Sequence, residues 1–94
     1  MCTVGLAVKR RVKLILIRHA TMYHEPDDVG DDLPVFGPGG VIEDSLEILE
    51  SLFEIEAALG IAIPDEDLTE DLFRSVERFS EYVARLADST PDPQ

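Results

Sequence analysis

Apolar residues fall at helical intervals in three stretches of this chain, separated by polar segments rich in glycine and proline. Over residues 5–22, Val8, Val12, Ile15, Leu16 and Met22 recur near the helical period with His19 on the same side, which predicts a first helix. Residues 24–40 hold charged residues, prolines and the run Gly37-Pro38-Gly39-Gly40, so they read as a long loop. Leu33, Val35 and Phe36 interrupt its polarity and are expected to pin it to the core. A second helix is predicted over 45–59, with Asp44 and Glu47 spaced as a capping box and Gly60 as the natural stop. Ile61 to Pro64 reads as an extended link, followed by a short third helix over 67–72. Ser75 then caps a last helix over 76–87, where Val76, Phe79, Val83 and Leu86 repeat at helical spacing. Residues 88–94, with two prolines, read as a disordered tail. The pattern is that of one all-α domain over residues 1–87, without internal repeats.

The second helix carries two apolar stripes. Ile48, Leu52, Ile55 and Leu59 make a core face. Leu46, Leu49 and Phe53 form another line, flanked by Glu47, Glu50 and Glu54. Spacing alone leaves two outcomes open. Either both stripes are buried, or the second is an exposed apolar strip rimmed by carboxylates that docks basic partners.

Composition narrows the function classes. Ninety-four residues allow one small domain, and a 45% hydrophobic content is enough for a packed interior, which excludes a disordered acidic tail. Residues 1–22 carry five bases and no acid, for +5, whereas residues 23–94 carry twenty acids and three arginines, for −17. That field repels nucleic acid and favours partners with basic patches. Cys2 is the sole cysteine, which excludes an internal disulfide and a cysteine zinc site. No secretory signal or membrane-span pattern is evident, so a cytoplasmic monomer is expected. Asp65, Asp67 and Thr69 begin like a calcium loop, but Glu70 stands at the glycine position and Val76 at the final glutamate position. No metal-ligand set is read from the sequence.

Several segments together resemble the acyl carrier protein family. Glu25 to Gly37 resembles the first loop of such carriers, and Asp44-Ser45-Leu46 resembles their modification site. Gly60-Ile-Ala-Ile-Pro-Asp65 follows fifteen residues after the serine, as the corresponding glycine does in that family, and Phe73 to Val76 looks like the entry to its final helix. These segments lie in family order over roughly residues 8–87. The resemblance implies a four-helix bundle with a short third helix and a long loop between helices 1 and 2. It implies that a phosphopantetheinyl transferase attaches 4′-phosphopantetheine, from coenzyme A, to Ser45, with Asp44 helping to present the serine. The arm would carry acyl groups as thioesters for fatty acid, polyketide or related biosynthesis, and the protein itself would catalyse nothing. Leu46, Glu47, Leu49, Glu50, Phe53 and Glu56 match the family's partner-recognition positions. The partners implied are acyl-activating, ketosynthase or acyltransferase-type enzymes with basic docking patches. The chain departs from the pattern at Ile42, where the family usually has glycine, and at Ser51, a position commonly apolar.

Two other readings compete. Ile42 and Glu43 before the Asp-Ser pair are grounds for a carrier-like interaction module that is never modified. Leu14-Ile-Leu-Ile-Arg-His-Ala-Thr21 resembles the strand and catalytic Arg-His of histidine phosphatases, with His19 as the phosphorylated nucleophile. That reading requires residues 14–17 to form a buried parallel strand.

Overall fold

The computed structural model describes residues 3–20 and 22–89, and the side chains of 7–20 and 22–87 within them. Cys2, and the part of the expected tail from residue 90 onward, lie outside the described residues. Among the described residues three α-helices carry the fold: α1 (Thr3–Arg18), α2 (Ser45–Leu59) and α3 (Val76–Ser89). The all-α expectation is met, and α1 packs against both α2 and α3. Among the described residues the only β-type pairing is one parallel bridge between Phe36 and Ile42.

Helix α1 presents Val8, Val12, Ile15 and Leu16 to the interior, all at most 6% exposed. It stops at Arg18, four residues before the predicted end. His19 and Ala20 tighten into i→i−3 bonds onto Leu16 and Ile17, and Met22 is 75% exposed rather than packed on the helix. Leu14 to Ile17 are helical, so the strand required by the phosphatase reading is absent.

The first connection is long but ordered by its own backbone. Val35 is buried and Leu33 and Phe36 pack against the core, as expected, and Val29 is buried as well. Val35 N–H donates to the Phe73 carbonyl, while Val76 and Glu77 N–H donate to the Leu33 and Asp31 carbonyls. The loop therefore caps the start of α3. Electrostatics add a clasp from α1, where Lys9 and Lys13 both reach Asp31 at 2.8 Å. The bases of α1 would be expected to pair with acidic helices. Among the described residues only Arg18 does so, with Glu54 of α2, while Lys9, Arg10 and Lys13 pair with the loop.

The predicted helix over 67–72 does not form. Two 3₁₀ turns, Asp65–Asp67 and Leu72–Arg74, take its place. Five acids lie within residues 65–71, so helical spacing would set Asp67 against Asp71 and Glu66 against Glu70. A segment this short gains too few bonds to offset that repulsion and the cost of nucleation. Its backbone is met instead by local caps, including the Thr69 hydroxyl, which accepts from Leu72 N–H. Ser75 caps α3 as predicted, accepting from Arg78 N–H at 3.0 Å, and the helix runs to Ser89, past the expected boundary at 87. Ile55, Val76, Phe79 and Val83 are fully buried and form the centre of the core.

Candidate functional site

The chain reaches α2 through a turn whose geometry is fixed from inside. Val41 and Ile42 are buried at 4% and 1% exposure. Ile42 N–H donates to the Val35 carbonyl, and the Ile42 carbonyl accepts from Gly37 N–H. Gly40 fits closely here, since a Cβ at that position would stand 2.9 Å from the Pro34 carbonyl oxygen. Ile42, the residue that departs from the carrier pattern, is thus the hydrophobic anchor of this turn. Beyond it Glu43, Asp44 and Ser45 run outward and are all exposed.

Asp44 is the N-cap, with extended backbone, and its carboxylate accepts from Leu46 N–H at 2.8 Å and Glu47 N–H at 3.4 Å. The Asp44 carbonyl accepts from Ile48 N–H. Glu47 does not return a bond to Asp44 N–H, so half of the capping box is missing; its carboxylate faces His19 instead. Ser45 is the first residue of α2 and presents its hydroxyl at the positive end of the helix dipole. The Leu46 and Glu47 N–H groups of that turn are already occupied by Asp44. Those two N–H groups are therefore not free for a second acceptor beside Ser45.

Of the two stripes on α2, Ile48, Leu52 and Ile55 are buried, whereas Leu46, Leu49 and Phe53 are 61%, 46% and 66% exposed. The open question of the second stripe is answered by that exposure. It starts beside Ser45 and descends the outer face of the helix. Glu50 is exposed at its margin. Glu56, grouped by resemblance with the recognition positions, is engaged within the fold. Its carboxylate accepts from Ile63 N–H at 2.7 Å and holds the link after Gly60. Ser51 is buried but donates to the Ile48 carbonyl at 2.8 Å, so the interior gains no unmet polarity there.

A groove of about 380 Å³ lies between the end of α1 and the entry to α2, lined by Arg18, His19, Ile42, Glu43, Asp44 and Glu47 among others. At its wall the His19 ring bridges the two helices. Nδ1 lies 2.9 Å from Glu47 Oε1, and Nε2 lies 2.9 Å from Glu54 Oε1. Burial disfavours the charged ring, but the bonds to Glu54 and Glu47 outweigh it and raise its pKa above the ordinary imidazole value. Glu54 is held in turn by Arg18 at 2.6 Å. Helical spacing places His19 on the first helix and carries no signal of this cluster, whose members are far apart in the chain. Comparison with protein-family models, curated proteins and solved structures finds no match to this chain.

Proposed function

We propose that the chain is a carrier protein of the acyl carrier type, modified on Ser45 with 4′-phosphopantetheine by a phosphopantetheinyl transferase. One observation carries the reading: an exposed serine opens α2 behind an aspartate cap, and an exposed Leu46–Leu49–Phe53 strip begins beside it. The bundle is then the four-helix carrier arrangement in which the 3₁₀ turns of residues 65–74 stand for the short third helix. Attachment makes a phosphodiester between the serine oxygen and the pantetheine phosphate of coenzyme A, releasing adenosine 3′,5′-bisphosphate. The arm ends in a thiol able to hold acyl groups as thioesters.

Each residue has a physical role in this reading. Asp44 fixes the serine's position on the first helical turn. Leu46, Leu49 and Phe53 supply apolar contact to a partner enzyme, while Glu47, Glu50 and the overall negative field steer a basic patch toward the arm. An exposed charged rim favours fast, salt-sensitive and reversible docking, as a shuttle between enzymes requires. The tether raises the local concentration of its cargo at each partner. The unmodified interaction module uses the same strip without the arm.

Intact mass after incubation with coenzyme A, magnesium and a broad-specificity transferase separates the two. The wild-type chain should gain one phosphopantetheine and Ser45→Ala none. A wild-type chain that stays unmodified, or a Ser45→Ala chain that is modified equally, overturns the carrier reading.

A further inference from the structure

We propose that His19, Glu47 and Glu50 form a binding site for a divalent transition-metal ion of the zinc type, joining the end of α1 to the first turns of α2. One His19 ring nitrogen and one carboxylate oxygen from each glutamate lie within 4.8 Å of one another. Glu47 and Glu50 are three residues apart on α2 and so share a face, toward which His19 leans from the end of α1. Glu47 and Glu50 also belong to the docking rim of the carrier reading, but the site does not involve Ser45, so metal binding and modification of Ser45 can fail separately.

The donor set selects the ion. An imidazole nitrogen with two carboxylates suits zinc and its neighbours, whereas calcium and magnesium prefer all-oxygen shells. His19 Nδ1 and Glu47 Oε1 are 2.9 Å apart. Two donors on a tetrahedral zinc stand about 3.3 Å apart, given bond lengths of about 2.0 Å. Those two groups therefore need only a small outward shift to take the ion between them. Glu50 is exposed and swings in from solvent as the third ligand, and water completes the shell.

The geometry around the ring reinforces the assignment. Metal-bound histidines usually donate their second ring N–H to a carboxylate, which fixes the tautomer and the ring plane. His19 has that partner: Nε2 faces Glu54 Oε1 at 2.9 Å, and Arg18 holds the other Glu54 oxygen at 2.6 Å. Both ring nitrogens face carboxylate acceptors, so Nδ1–H donates to Glu47 in the metal-free protein. With Nε2–H committed to Glu54, loss of the Nδ1 proton turns that lone pair toward the ion. Binding displaces the Nδ1 proton to solvent and puts a dication among carboxylates that otherwise repel one another.

The test is a titration of zinc ion into the full-length chain carrying Cys2→Ser, with a competing chromophoric indicator. His19→Gln and Glu50→Gln are made in the same background. One equivalent should bind the parent, and each substitution should weaken binding at least about tenfold, the scale set by loss of a metal-site group. Glu50 is exposed, so Glu50→Gln should not lower the metal-free melting temperature and keeps the test valid if His19→Gln fails to fold. In the parent, zinc should shift the ring resonances of His19 and leave those of His24 in place. Absence of binding, several weak equivalents displaced by magnesium, or a Glu50→Gln chain that binds as tightly as the parent would overturn the site.

Discussion

Single side chains decide how well this small interior is satisfied. Ser51 and Ser80 are both buried polar residues, at 0% and 2% exposure. Ser51 donates to the turn above it, whereas the Ser80 hydroxyl meets no partner among the described residues. A buried hydroxyl without a bond costs about 1 kcal/mol or more, and serine is a weaker helix former than alanine by about 0.5 kcal/mol. Ser80→Ala should therefore stabilise the protein by about 1 kcal/mol, read as a melting temperature several degrees higher. A lower melting temperature would mean that the hydroxyl has a partner. Glu56 shows how a residue's place in a pattern differs from what it does. Its position on the helix resembles a docking residue, yet its carboxylate is bound to Ile63 N–H seven residues on. Only the course of the chain after Gly60 reveals that, and sequence spacing on α2 does not.

At the scale of elements, what is legible in the sequence depends on whether the signals are local. Helix α2 begins at Ser45 and ends at Leu59 as its sequence predicts, because Asp44 and the left-handed Gly60 (φ 67°) act within one turn of it. The end of α1 departs from its pattern because it is set by contacts far away. His19 leaves the helix to meet Glu47 and Glu54, 28 and 35 residues later. The segment 67–72 fails for a different reason, since its propensity is weak and like charges oppose it. The second stripe of α2 cannot be assigned from its period, as exposure depends on which neighbours cover it. The α1–loop clasp makes a testable element. The Asp31 carboxyl is held below its usual range, first by the Lys13 bond and then by Lys9. A depressed folded value means that the stabilisation is present above the unfolded value near 3.8 and is lost as pH falls through the lower folded value. Urea midpoints of the wild type and Asp31→Asn should differ most well above that pH and converge below it. Equal midpoints throughout would mean the clasp contributes nothing.

For the whole molecule the dominant quantity is a net charge of −12 on 94 residues. Self-repulsion of that size works against the compact state. Salt weakens it, with a screening length of about 8 Å at physiological ionic strength. Salt also weakens the exposed ion pairs, each contributing at most about 1 kcal/mol. Like charges outnumber those pairs, so adding sodium chloride should raise the melting temperature, and magnesium should do so at lower concentration. A melting temperature that stays flat or falls across the series would show that the ion pairs outweigh the net charge. No helix among the described residues is long and apolar enough to cross a membrane.

The three backbone bonds between the first loop and the start of α3 impose an order on how the molecule is assembled. Leu33 and Asp31 give their carbonyls to Val76 and Glu77, and Val35 takes the carbonyl of Phe73. The turn that ends at Ile42 rests on that same Val35. A chain emerging from the ribosome has synthesised Ser45 long before it has made Val76, so during that interval the platform beneath the serine lacks its far support. The serine reaches its final setting only when the segment from Phe73 to Glu77 is in place.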